Sequence, residues 1–157
     1  MVGSVYLLYF LTAVAAQFLT VRGLVVYGDV VNVIAYACYA TVTLLFYHLF
    51  KPVDKAVSAI AACLSFVGCA IGALSIFDRN PFHANPLLFF GPYCVLIGYL
   101  ILRSTFLPRI LGALMLLAGV GWLLVLSPLA AGLTPYIEAI GILAEGSLML
   151  WLLVVGV

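Results

Sequence analysis

Charged residues are scarce in this sequence. Only 7% of its 157 residues are charged and 68% are hydrophobic, whereas a soluble domain ordinarily carries about 25% charged residues. This composition excludes an ordinary water-soluble fold. The net charge is +1, and the few cationic residues form no basic stripe of the kind that nucleic-acid binding requires. The sequence therefore predicts no nucleic-acid partner.

Motifs for catalysis and metal binding are also missing. The sequence contains no Cys-x-x-Cys pair, no nucleophile elbow and no metal-binding helix motif. Its four cysteines all lie in apolar runs, where a thiol usually packs as a small hydrophobic group. They are Cys38, Cys63, Cys69 and Cys94. We therefore expect no catalytic residue, no metal and no cofactor.

Long apolar runs dominate what is present. A bilayer core about 30 Å thick requires about 20 apolar residues per helix, so this chain accommodates six helices only if nearly all connections are short. The run that begins at Gly3 is too long for a signal peptide core of about 7–15 residues and is predicted as the first helix. The predicted helices are about 3–21, 30–50, 56–77, 87–102, 110–126 and 136–157.

The sequence thus predicts an all-α fold: one integral membrane domain over residues 1–157, built as a bundle of six transmembrane helices with antiparallel neighbours. Four of the six cationic residues lie in the second and fourth connections. They are Lys51, Lys55, Arg103 and Arg109. By the positive-inside rule this side is cytoplasmic, which places both termini in the cytoplasm. The same four residues are predicted to contact anionic lipid headgroups.

Glu145 is the sharpest candidate for a functional residue, because it lies near the middle of the last predicted helix, where an ionisable group is energetically expensive. A structural carboxyl that makes one hydrogen bond between helices is the alternative. Gln17, inside the first predicted helix, is the other candidate polar group. If the first and last helices adjoin, Gln17 and Glu145 are expected to pair.

Other residues carry weaker signals. Gly68 and Gly72 have the small-xxx-small spacing that lets helices approach closely, either inside the bundle or against a partner protein. His48 and His83 are predicted at opposite membrane surfaces, so they cannot bind one metal ion together. The polar loop that contains Asp78, Arg79, Asn80, His83 and Asn85 has no spacing of a metal or nucleophile motif.

Several segments resemble a known family. They are GYLILRSTFLPRILGALMLLAG at 98–119, KPVDK at 51–55, VRGLVVYGD at 21–29 and GILAEGSLMLWLLV at 141–154. The chain resembles an uncharacterised bacterial family of multi-pass membrane proteins, domain of unknown function four-three-eight-six. The resemblance implies a compact helical bundle in a bacterial cytoplasmic membrane. It implies no substrate, cofactor or reaction.

Three functions compete at this point. The first is a noncatalytic accessory or structural subunit that packs against other integral membrane proteins and membrane lipids. The second is a small transporter or carrier that uses Glu145 as a proton or substrate site, which requires a polar path to that residue. The third is an enzyme acting on a lipid or quinone through Tyr47, His48 or Asp54, which no motif supports.

Overall fold

The fold is that of a computed structural model, which describes residues 1–77, 85–127, 130 and 132–156. Within these ranges the chain forms six helices and no strand. The helices are α1 (Val2–Val21), α2 (Val25–Phe50), α3 (Lys55–Ile76), α4 (Leu87–Arg103), α5 (Arg109–Val125) and α6 (Thr134–Val155). The predicted all-helical membrane bundle is confirmed. Val157, the predicted end of the last helix, lies outside the described residues.

Helix lengths match a membrane environment. α1, α2, α3 and α6 contain 20 to 26 residues and are apolar enough to cross a bilayer. α4 and α5 are apolar but have only 17 residues each, or about 26 Å at 1.5 Å per residue. That length is at the lower limit of the range for transmembrane helices.

The first connection is shorter than the sequence predicts, because α2 begins at Val25 rather than about residue 30. Only a tight turn separates α1 from α2, and Gly23 occupies it with φ of +81°, a conformation that favours glycine. Gly28 then packs so closely on α1 that a side chain there would collide with Thr20. Extending the helix satisfies backbone groups that would otherwise be unpaired near the bilayer.

The six helices form a closed ring, since each helix packs on the next and α6 packs back on α1. We call the end where α1 begins the amino-terminal end; it carries the α2–α3 and α4–α5 connections. The helix ends that the other three connections join lie at the opposite end. At the amino-terminal end Arg103 lies 3.9 Å from Asp54, which joins the two connections there. Asp54 also caps α3 by accepting hydrogen bonds from the Ala56 and Val57 amides.

The two halves of the bundle differ in packing. Large buried side chains fill the amino-terminal half, among them Phe46, Phe50, Leu100, Met115 and Leu152. These residues come from α2, α4, α5 and α6 and belong to one continuous core. The middle of the bundle and the opposite half are packed less completely and contain a cavity.

Candidate functional site

The cavity has a volume of about 370 Å³, within the range of small-molecule sites in proteins. Its wall comes from α1, α2, α5, α6 and the start of α4. The residues that line it are Tyr9, Ala13, Asn32, Ala35, Tyr36, Tyr39, Asn85, Pro86, Leu87, Phe90, Trp122 and Glu145. Because Asn85 is exposed at the opposite end and Glu145 lies near mid-helix, the cavity leads from that end to the centre of the bundle.

Glu145 lies in the cavity wall and is anchored by one hydrogen bond. The Tyr6 hydroxyl donates to Glu145 Oε2 at 2.9 Å. Tyr6 is only 1% exposed, and its ring packs edge-on against Phe46 at 5.5 Å between centroids. The carboxyl is therefore held at the boundary between the cavity and the filled half of the bundle.

Two glycines of α3 pack against aromatic rings that line the cavity. Gly68 on α3 lies beneath the Phe90 ring, where an added Cβ would be 3.1 Å from the ring. Gly72, one turn further along, lies against the Tyr36 ring in the same way. Both glycines are buried inside the bundle. Each faces an aromatic ring rather than the helix backbone that the small-xxx-small spacing predicts.

Close approach of two helix backbones occurs instead between α4 and α5. A Cβ added at Gly98 would be 2.8 Å from the Gly112 carbonyl oxygen, and one added at Gly112 would be equally close to the Gly98 oxygen. One added at Gly119 would be 2.7 Å from the Gly91 oxygen. The two glycines of each helix are seven residues apart, so both pairs lie on one face.

Gln17 does not pair with Glu145. α1 and α6 do adjoin, but Gln17 is exposed. It lies eleven residues beyond Tyr6, or about 16 Å along the helix. The hydrogen-bond partner of the carboxyl is Tyr6, whose hydroxyl was not singled out as a partner by sequence reasoning.

The four predicted headgroup contacts share one end of the bundle. Lys51, Lys55, Arg103 and Arg109 are all exposed at the amino-terminal end. Arg103 Nη1 donates to the Tyr99 hydroxyl at 2.9 Å. Lipid contact by these four residues stays a prediction.

His48 does not contribute to the cavity wall. His48 is exposed at the amino-terminal end, beside the Tyr47 ring. His83 lies outside the described residues, together with Asp78, Arg79 and Asn80. Among the residues that the structure describes, no three His, Cys, Asp or Glu side chains are grouped to hold a metal ion, and the four cysteines are free thiols.

Sequence reasoning missed the aromatic character of the site, although a signal for it exists. Tyr6 and Tyr9 on α1, like Tyr36 and Tyr39 on α2, are three residues apart and so share one helix face. The two faces meet, with the Tyr9 and Tyr39 ring centroids 4.6 Å apart. Tyrosine pairs at this spacing on adjacent helices indicate a common lining.

Comparisons with known proteins assign no activity to the chain. The sequence model of the family described as Domain of unknown function (DUF4386) matches residues 82–156, which confirms the predicted resemblance over that part of the chain. An uncharacterized protein of Archaeoglobus fulgidus is 30% identical over 90 residues, which cover 54% of this chain and 56% of that protein. The chain thus spans little more than half the length of this relative. No solved structure matches.

Proposed function

Starting from a membrane bundle that matches this family over its second half, we propose that the chain is a noncatalytic carrier that binds a small molecule, with Glu145 contacting the ligand. The observation that carries the proposal is the cavity that leads from one end of the bundle to Glu145. An ionisable group inside the membrane is by default a candidate for function. A purely structural carboxyl has no need of a cavity beside it.

The packing of the other half supports a carrier rather than a channel. Beyond Glu145 the bundle is closed by Tyr6, Phe46 and their neighbours, which are almost fully buried. A ligand therefore has access from one end only, as in one state of an alternating-access carrier. Passage to the other side requires rearrangement of helices around the carboxyl.

The test is to identify small molecules that stay with the purified protein. Ala13 lines the cavity, whereas Ala15 is exposed two residues further along the same helix. We expect solvent extraction and mass spectrometry to find a compound retained by the wild type and by Ala15→Phe, but lost from Ala13→Phe, which fills the cavity. If all three proteins release the same compounds in equal amounts, the cavity is not a binding site.

An accessory-subunit role is the second candidate, and Gln17 is the observation that favours it. The Gln17 amide is exposed in a largely apolar helix and gains a hydrogen-bond partner if another membrane helix packs beside it. Gentle extraction of the native membrane tests this role: recovery in a stoichiometric complex that Gln17→Leu disrupts supports it. Recovery of the chain alone, or only as copies of itself, contradicts it.

The location and orientation remain part of the proposal. We place the protein in a bacterial cytoplasmic membrane with both termini in the cytoplasm, because four of the six cationic residues lie at the amino-terminal end, in or directly beside its connections. This orientation opens the cavity toward the outside. Anionic lipids are then the expected neighbours of Lys51, Lys55, Arg103 and Arg109.

A further inference from the structure

The lining of the cavity indicates which class of molecule it accepts. We propose that the ligand is a small organic cation, held by the aromatic walls and by the Glu145 carboxylate. This inference rests on the proposed carrier function and adds the charge and chemical class of the ligand. Its support comes from the rings, the charge of the wall and the size of the cavity.

Aromatic rings form the largest part of the wall. Five of the twelve lining residues are aromatic, and they come from α1, α2, α4 and α5. The Tyr39 ring meets the Phe90 ring edge-on, at 5.5 Å between centroids and 87° between planes. Ring faces attract cations, and several rings around one space form the cage that recognises quaternary ammonium groups. The five are Tyr9, Tyr36, Tyr39, Phe90 and Trp122.

Among the described lining residues, charge of only one sign is present. Glu145 is the ionisable acid in the lining, and the described residues that line the cavity include no lysine, arginine or histidine. An anion would be repelled by a carboxylate and by negative ring faces, and the described part of the wall offers it no cation. A cation would be attracted by both, and the attraction is stronger away from bulk water. A cation supplies the carboxylate with a partner of opposite charge in addition to the Tyr6 hydroxyl, whereas a neutral ligand does not.

The size of the cavity limits the cation to a compact molecule. A space of about 370 Å³ is near the lower end of the range for small-molecule sites. A trimethylammonium group with one aromatic or short alkyl substituent is well within it. Benzyltrimethylammonium is therefore a suitable probe, and neopentylbenzene, in which carbon replaces the charged nitrogen, is its neutral twin of the same shape.

Tryptophan fluorescence supplies the readout, because the chain has two tryptophans and only Trp122 lines the cavity. In full-length Trp151→Phe protein, Trp122 is the single tryptophan. We expect benzyltrimethylammonium to change its fluorescence saturably and neopentylbenzene to bind at least about tenfold more weakly. Glu145→Gln should weaken binding of the cation by about tenfold or more. Glu138→Gln, on an exposed part of α6, should leave it unchanged.

Two results would overturn this inference. Equal binding of the charged and neutral probes would show a site for apolar molecules and leave the carrier proposal intact. No saturable binding of the cation would remove the assignment of ligand class. The comparison of Ala13→Phe with Ala15→Phe then decides separately whether the carrier proposal stands. The comparison of the two probes needs no substitution at Glu145, so it holds even if Glu145→Gln does not fold.

Discussion

Tyr6 and Glu145 show how one contact connects stability and function in this protein. The hydroxyl of Tyr6 donates to Glu145 Oε2 at 2.9 Å and so fixes the direction of the carboxyl relative to the cavity. Hydrogen bonds between membrane helices contribute on average about 0.6 kcal/mol and up to about 1.7 kcal/mol. The bond is therefore worth more as a positioning device than as a source of stability.

Removal of this hydroxyl is the first prediction. Tyr6→Phe should lower the free energy of unfolding by roughly 0.5–2 kcal/mol, because the ring keeps its packing and only the bond to Glu145 is lost. Denaturant titration in detergent micelles measures this change. Tyr27→Phe is the matched control, since Tyr27 is 66% exposed; an equal loss in both variants would contradict the role of the Tyr6 bond.

A second buried polar contact joins α2 and α3. The Thr43 and Ser65 hydroxyl oxygens lie 2.6 Å apart, and both side chains are almost fully buried. Thr43 also donates to the Tyr39 carbonyl at 2.9 Å. Because a hydroxyl has one hydrogen to donate, Ser65 is the donor in the contact between the two side chains.

This geometry predicts that Thr43→Val destabilises the protein by about 1 kcal/mol, since the isosteric side chain removes the hydrogen bond between α2 and α3. Thr41→Val supplies the control: Thr41 is exposed and bonds only within its own helix, to the Ala37 carbonyl. Unfolding in mixed micelles should separate the two variants. A larger loss at Thr41 than at Thr43 would be inconsistent with the interhelical bond.

At the scale of the helices, α4 and α5 are short, and they pack against each other through unusually close backbone contact. Both helices have 17 residues, and glycine pairs bring their backbones together at Gly98 with Gly112 and at Gly91 with Gly119. Close contact increases van der Waals attraction, which is a principal force between helices in lipid. Tight packing thus compensates for the short span of each helix.

Adding one methyl group at this contact should lower the stability of the protein. Gly98→Ala places a Cβ 2.8 Å from the Gly112 carbonyl oxygen, which the two backbones relieve only by moving apart. We expect a loss of about 1–3 kcal/mol in the free energy of unfolding. Gly146→Ala in α6 meets no atom within 4 Å and should be neutral or stabilising by up to about 1 kcal/mol. Equal effects at the two sites would falsify the close α4–α5 contact.

At the scale of the whole molecule, the ring of six helices determines which connections share a side. Thr105, between α4 and α5, is exposed at the amino-terminal end, and Leu24, between α1 and α2, is exposed at the opposite end. The positive-inside rule places Thr105 in the cytoplasm and Leu24 outside. Opposite accessibility of these two positions is therefore expected.

Single-cysteine labelling checks this topology. In a background with the four native cysteines replaced by alanine, a membrane-impermeant maleimide should label Leu24→Cys in intact cells. It should label Thr105→Cys only after the cytoplasmic face has been opened. The reverse pattern would invert the orientation and open the cavity toward the cytoplasm. Labelling of both positions from one side would mean that α2–α4 do not alternate across the membrane.

The sequence by itself determined that this chain is a bundle of six apolar helices. Its apolar runs and charge scarcity are sufficient for that, because in lipid every backbone group must be satisfied within a helix or a closed barrel. It also singled out Glu145, since the cost of an ionisable group depends on depth along one helix. The predicted start of α2 was wrong by five residues. The tight turn at Gly23 joins the two helices with fewer residues than the prediction allowed for the first connection.

Only the tertiary structure decided what surrounds Glu145. The residues around the carboxyl, among them Tyr6, Tyr39 and Trp122, lie up to 139 residues from it in the chain. No local pattern on one helix predicts which face of another helix it will contact. The packing of the helices makes Tyr6, and not Gln17, the hydrogen-bond partner of Glu145. It also places aromatic rings against Gly68 and Gly72. In an almost uniformly apolar chain, hydrophobic periodicity carries little information about facing, so the shape and contacts of side chains decide it.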